Sequence, residues 1–246
     1  MSKTIKTPAY VKMLPGKKST IVLLHGFLSS KRYWQKVATH LQASGHQVIM
    51  IDLLGFGHAP KPTGIRYDYE DHLAHIHKTL GALNILEPVM MAGHSMGALL
   101  AVKYAHRYPK RVKAVGLMNP PIYLDRDQAY HTLRNTGPLY RFLLESKYRH
   151  ICWLLLRKIG PFGDHSRDSR EGSLKNLIID ATFTDDLETL QKPAILLIGE
   201  KDRAIYGENI QGVQVSKSLS VHVGPSGHHA PITHHVSVAH HILSLV

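Results

Sequence analysis

Six short β-branched or aliphatic runs, at residues 20–24, 47–51, 88–92, 112–118, 194–198 and 219–223, alternate along the chain with longer stretches of helical period. This rhythm narrows the possible folds more than any other feature. Apolar runs without polar alternation suit strands covered on both faces, and each intervening stretch is long enough for a right-handed crossover. The pattern predicts an α/β protein: a mostly parallel central sheet with helices on both faces. Helices are expected at residues 31–44, 69–86, 96–107 and 208–218, with a last one running to residue 246. The short stretch ahead of the first strong strand leaves room only for a reduced N-terminal hairpin, with one strand around residues 9–13.

Between residues 120 and 192 the alternation stops, and the sequence becomes helical, aromatic and rich in arginine. Gly137-Pro138 and Gly160-Pro161-Phe162-Gly163 punctuate it. This segment reads as a helical cap inserted into a core built from residues 1–119 and 193–246. Its apolar side chains include Tyr140, Phe142, Leu143, Trp153, Leu154 and Leu155. Tyr140, Phe142 and Trp153 are the candidates to wall a substrate pocket, while most of the set is expected to form the cap's own core.

Composition excludes several classes. With 43% hydrophobic and 20% charged residues among 246, the chain has apolar material for a core, which argues against a disordered protein. Its longest apolar run, residues 151–156, falls far short of the roughly 18 residues of a membrane span, so no integral membrane segment is expected. A single cysteine, Cys152, makes neither an intramolecular disulfide nor a thiolate zinc site. The lysine-containing start of the chain has no continuous apolar segment of the kind a secretion signal needs, so a cytoplasmic location is expected. The net charge of +12 is scattered outside residues 120–192, where acids and bases nearly balance, and reads as a solvated basic surface with no nucleic-acid partner. Nineteen histidines include the pairs His228/His229, His234/His235 and His240/His241, but no carboxylate or cysteine accompanies them at zincin spacing. No metal and no cofactor is expected.

The chemistry concentrates in Gly93-His94-Ser95-Met96-Gly97, which follows one predicted strand and opens a helix. This is the G-x-S-x-G nucleophile elbow in its strand-turn-helix setting. Such a turn holds Ser95 in strained backbone geometry with its hydroxyl outward, and side chains at positions 93 and 97 would collide with the neighbouring strand and helix. The amide of Met96 and the positive end of the helix dipole then face a reacting carbonyl oxygen. After the first strong strand comes His25-Gly26-Phe27-Leu28-Ser29-Ser30, where His25 is expected to brace a loop.

With these segments the chain resembles the α/β-hydrolase family, over about residues 20–119 and 193–246. Asp52-Leu53-Leu54-Gly55-Phe56-Gly57-His58 is similar to the family's D-x-x-G-x-G-x-S turn, with His58 in place of the serine. Gly199-Glu200-Lys201-Asp202 resembles the segment carrying the acid, and Gly227-His228-His229 the segment carrying the base. The resemblance implies Ser95 as nucleophile, Asp202 as orienting acid and His228 as general base, in the chain order of this fold. It also implies an oxyanion hole of the backbone amides of Phe27 and Met96. Two rivals stand beside these: Asp125 for the acid and His229 for the base. The implied activity is that of a serine hydrolase, carboxylesterase-like, acting on a small-molecule acyl ester of small or medium size. Related chemistries of the same triad remain alternatives: thioesterase, C–C hydrolase, monoacylglycerol lipase, aminopeptidase, or a catalytically weak ligand-binding protein. The absence of an H-G-G-G loop argues against a long-chain triglyceride lipase, and a serine nucleophile against haloalkane dehalogenase or epoxide hydrolase chemistry. Oligomeric state is not legible in the sequence.

Overall fold

The computed structural model describes residues 7–137, 141–142, 145–146, 164–180 and 183–246. Strands β1 (Val11–Leu14) and β2 (Thr20–Leu24) lead into a 3₁₀ turn, Lys31–Trp34, and helix α1 (Gln35–Ala43). There follow β3 (Gln47–Ile51), α2 (Tyr69–Ala82), β4 (Val89–His94), α3 (Met96–Arg107) and β5 (Val112–Met118). The connection to β6 (Ala194–Gly199) includes α4 (Arg126–Asn135), α5 (Arg167–Ser173), a π-helical turn at Leu174–Ile179 and α6 (Phe183–Thr189). After β6 come α7 (Ala204–Gly212), β7 (Leu219–Gly224), a helical turn at Ala230–Thr233 and α8 (His235–Leu243).

The seven strands form one sheet in the order β1-β3-β2-β4-β5-β6-β7. β1 pairs antiparallel to β3, from Val11 opposite Ile51 to Leu14 opposite Val48, and the other pairings are parallel. β2 lies between β3 and β4, so the connections leaving its end and β4's diverge there. A crevice outside the carboxyl ends of the strands at such a switch point is where open α/β sheets receive ligands.

Alternate residues of the five inner strands, β2 to β6, enter opposite apolar layers. Val22, Leu24, Ile49, Met91, Val115 and Leu117 pack with residues of α2 and α3. Ile21, Leu23, Val48, Met50, Met90 and Met118 pack on the other face with residues of α1 and α8. This two-sided burial is why the inner strands read as continuous apolar runs. β7, expected to be covered on both faces, is instead an edge strand exposed from Ser220 to Val223, because it pairs with β6 alone.

Some boundaries differ from expectation for local reasons. β4 continues to His94 because Gly93 and His94 still pair with Leu117 and Met118. α2 stops at Ala82, four residues early: Asn84 turns left-handed (φ 56°), its amide donates to Gly81, and that of Ile85 reaches back to Leu80. Asn tolerates this conformation because its short side chain bonds locally, and the paired amides close the helix end. α7 begins at Ala204 instead of 208, since Gly207 lies inside it with open space around it, and it ends at Gly212. The expected final helix is interrupted at His234 (φ −127°), after the turn that Pro231 opens.

The described part of the β5–β6 connection is fastened to the loop after β3. Gly57 N donates to Asp164 O at 2.6 Å, Ser169 Oγ to Gly55 O at 2.9 Å, and Phe56 forms an antiparallel bridge with His165. Among the described residues, no helix is long and apolar enough to cross a membrane.

Candidate active site

Ser95 follows β4 directly and caps α3 with φ 52° and ψ −122°, a region that L-residues adopt only under strain. The turn is tight enough to exclude side chains on either side of it. A Cβ on Gly93 would lie 2.0 Å from the carbonyl oxygen of Gly97, and one on Gly97 would lie 2.3 Å from that of Leu24. Met96 is the first residue of α3, so its amide has no intrahelical carbonyl to serve.

The loop after β2 presses against this elbow: a Cβ on Gly26 would meet Ser95 Cβ at 3.2 Å and His94 Nδ1 at 2.9 Å. That contact seats the loop that carries Phe27 against the elbow. Leu28 is left-handed (φ 58°), which turns the loop back toward the 3₁₀ turn. His25 braces it. Leu53 N donates to His25 Nε2 at 3.0 Å, so the hydrogen sits on Nδ1, 2.7 Å from the carbonyl of Gly26. Burial pushes this imidazole down to about 4, so it stays neutral near pH 7. Asp52 anchors the neighbouring turn through Lys31 N (2.6 Å), Lys31 Nζ (2.8 Å) and His58 N (2.9 Å). Burial raises the Asp52 carboxyl, but these donors outweigh it and hold the group below the usual carboxylate range.

On the far side of Ser95, the turn after β6 carries Asp202 and the turn after β7 carries His228. Their side chains meet at 2.9 Å, His228 Nδ1 to Asp202 Oδ2, with 3% of the Asp202 side chain and 31% of the His228 side chain exposed. Asp202 Oδ1 accepts the amide of Arg203 at 2.8 Å, and Oδ2 also accepts Asn119 Nδ2 at 3.2 Å. Burial works to raise the Asp202 carboxyl; His228, Arg203 N and Asn119 together hold it low. An ionised carboxylate only accepts, so His228 Nδ1 carries the hydrogen and, in the neutral form of the ring, the lone pair lies on Nε2. His94 joins this pair to the elbow. Its Nε2 lies 2.7 Å from the carbonyl oxygen of His228, and the two rings are 5.0 Å apart.

The rivals take other roles. Asp125 caps α4, accepting Gln128 N at 2.7 Å, and His229 Nδ1 faces the Tyr33 hydroxyl at 3.2 Å. Phe142 is half-buried in one helical turn, with Ser146 N donating to its carbonyl at 2.9 Å; Tyr140 and Trp153 lie outside the described residues, as do Leu143, Cys152, Leu154 and Leu155. Among the described residues, no three His, Cys, Asp or Glu side chains gather as a metal-binding group.

Three contributors escaped the sequence reading. Asn119 directly follows β5 in a left-handed conformation (φ 49°) and bridges Asp202 to the carbonyl of Gly227 at 3.4 Å. A polar residue closing an apolar strand was its only signal. His94 and Tyr33 contact the His228-His229 turn from 134 and 196 positions away, separations at which a single sequence carries no signal of contact.

The sequence model for the alpha/beta hydrolase fold matches residues 19–149. The chain is 28% identical over 208 residues to Lipase 1 of Psychrobacter immobilis, covering 77% of this chain and 64% of the lipase. It is 35% identical over 104 residues to "Probable lysophospholipase BODYGUARD 4" of Arabidopsis thaliana, covering 42% of this chain and 25% of that protein. The chain thus spans from a quarter to just under two-thirds of these relatives' lengths. Among solved structures, an esterase from Exiguobacterium antarcticum superposes with a TM-score of 0.73 at 20% identity, covering 96% of this chain and 94% of its own. A Staphylococcus aureus MenH structure superposes at 0.72 with 16% identity, covering 97% and 98%. The matched residues contain the loop after β2, the Asp52 turn and the Ser95 elbow, and the sheet around them is mostly parallel, as expected from the sequence: the chain belongs to the alpha/beta hydrolase fold family.

Proposed function

We propose that the protein is a serine hydrolase that cleaves small or medium acyl esters through an acyl-enzyme. The observation that carries this reading is the 2.9 Å contact between His228 Nδ1 and the buried Asp202 carboxylate, beside a serine in strained elbow geometry. His228 Nε2 accepts the Ser95 hydroxyl proton as Oγ bonds to the acyl carbon. Charge growing on the carbonyl oxygen is met by the amides of Phe27 and Met96. When the intermediate collapses, its bond to the alkoxy oxygen breaks and His228 returns the proton to the departing alcohol. Water, deprotonated by the same imidazole, then releases the acid and restores Ser95. Among the described residues no hydrogen bond joins Ser95 Oγ to His228; such bonds commonly tighten only when substrate is bound.

The lipase and lysophospholipase names of the relatives agree with an ester substrate. The fastening of residues 164–173 to the Asp52 turn agrees with a cap that covers the site and keeps water from it. No step requires a cofactor or metal.

A fluorophosphonate probe tests the reading. Wild type is expected to label covalently, Ser95→Ala not at all and His228→Ala nearly not at all. A folded wild type that stays unlabelled, or label that persists in Ser95→Ala, overturns it. A series of p-nitrophenyl esters of rising acyl length then sizes the pocket through kcat/KM.

A further inference from the structure

We infer that His94 and Tyr33 are positioning residues that hold the base turn against the nucleophile elbow and set His228, not the adjacent His229, as the base. The inference rests on the serine-hydrolase reading above.

His94 is fully enclosed, and its hydrogen-bonding state can be derived. The His228 carbonyl only accepts, so at 2.7 Å His94 Nε2 must carry the hydrogen. Burial and the neighbouring imidazoles of His228, His229 and His25 keep this ring neutral. Nδ1 is then a bare lone pair, and among the described residues it has no partner. A buried acceptor without a partner costs on the order of 1–3 kcal/mol. An apolar side chain would avoid that cost, so the gain from an imidazole here lies at Nε2.

Tyr33 controls the ring from outside. It stacks on His94 with centroids 4.5 Å apart and planes 24° apart, and its hydroxyl lies 3.1 Å from His94 Nε2. The same hydroxyl lies 3.2 Å from His229 Nδ1. Burial raises the phenol above its ordinary range, so it remains a donor. With the His94 hydrogen committed to the His228 carbonyl, the Tyr33 hydrogen is free for His229 Nδ1. The two adjacent histidines are thereby given different tasks. His228 is pinned by its main chain to the elbow while its side chain turns to Asp202, and His229 is tied at Nδ1 to the 3₁₀ turn ahead of α1.

This assignment makes a prediction that packing alone does not. His94→Leu keeps much of the volume and removes the donor, whereas His94→Gln restores an N–H of similar reach. A displacement of about 1 Å in a catalytic group can cost about 10²-fold in rate. His94→Leu should therefore lose about 10- to 100-fold in kcat with KM little changed, and His94→Gln should recover most of it. Tyr33→Phe keeps the stack and should lose less, about 10-fold at most, again in kcat. The low-field proton NMR signal of His228 Nδ1–H should broaden or vanish in His94→Leu and persist in His94→Gln.

A folded His94→Leu with wild-type kcat and an intact low-field signal overturns the inference. So does a His94→Gln that falls as far as His94→Leu, because packing would then be the whole role. Should His94→Leu not fold, Tyr33→Phe and His94→Gln decide: wild-type kcat in the first with a 100-fold loss in the second overturns it. Failure here is distinct from failure of the functional reading, since the latter appears as a wild type without Ser95-dependent labelling, and in that event both fall.

Discussion

At Ser95, the proposed nucleophile, position is set by exclusion. Gly93 and Gly97 leave no room for a Cβ, with backbone oxygens 2.0 and 2.3 Å from where one would stand, and the backbone has one way through the gap. At Asp202 and His228, the proposed acid and base, position is set by attraction. Asp202 gathers His228, Arg203 N and Asn119, and His228 is held a second time through its carbonyl by His94. The two constructions fail differently. A steric turn loses the fold when it is altered, whereas a hydrogen-bonded one keeps the fold and loses its chemistry.

Asp202→Asn is the sharpest test of the second half. The variant preserves volume and can still accept Arg203 N, but an amide facing His228 favours the wrong tautomer. With the fold retained by circular dichroism, kcat on an activated ester should fall by about 10⁴-fold. A loss under about tenfold would mean that attraction does not set this side of the site. Gly97→Ala tests the first half. Its methyl would meet backbone that cannot swing away, so denaturant titration should give a loss of about 3 kcal/mol or more. A Gly97→Ala variant as stable as wild type would break the contrast.

The two sides should also let go at different pH. His25 braces the loop beside Ser95 and titrates at about 4 in the folded protein, against 6.5 as its ordinary value. The unfolded chain therefore takes up this proton first as pH falls. The associated stability is full above pH 6.5, declines through the window down to about 4, and is flat below. At about 1.4 kcal/mol per unit, the whole window amounts to roughly 3 kcal/mol. His25→Gln offers a donor and an acceptor without a titration, and between pH 7 and pH 5 it should lose about 2 kcal/mol less than wild type in urea titrations. Equal losses would remove His25 from the account. Asp202 has the opposite placement: its carboxyl is held below the usual range, so its contribution persists above that range and is lost only as pH falls through the depressed value.

This division also explains what was legible in the sequence. The elbow is local and steric, so glycines at 93 and 97 around a serine, after an apolar run and before a helix, were enough to place the turn. The five inner strands were legible for a similar reason, because burial on two faces forces continuous apolar composition, whereas β7 lies at the sheet edge with only Leu219 buried and does not owe its run to burial. Asp202 and His228 were named through resemblance, and what holds them was not visible: Asn119 lies 83 residues from Asp202, and His94 lies 134 from His228. Helix ends were misplaced where one residue's conformation decides, as at Asn84 and His234. Residues 120–192 lack the strand rhythm that anchors the rest, and the pocket candidates Tyr140 and Trp153 fall there, outside the described residues.

The smallest expected effect is the control that gives the steric argument its meaning. Gly81 lies inside α2 with nothing within 4 Å of the Cβ it lacks, and its backbone is helical. Glycine in a helix interior costs about 1 kcal/mol relative to alanine, because the unfolded chain has more conformations to lose. Gly81→Ala should therefore stabilise the protein by about 0.4–1 kcal/mol with kcat unchanged, read from the denaturant midpoint at constant slope. The same chemical change, one hydrogen to one methyl, would then have opposite signs at 81 and 97. If both substitutions destabilise, the loss at 97 reflects helix glycines in general, and exclusion by the Leu24 carbonyl no longer explains why the elbow needs its glycine.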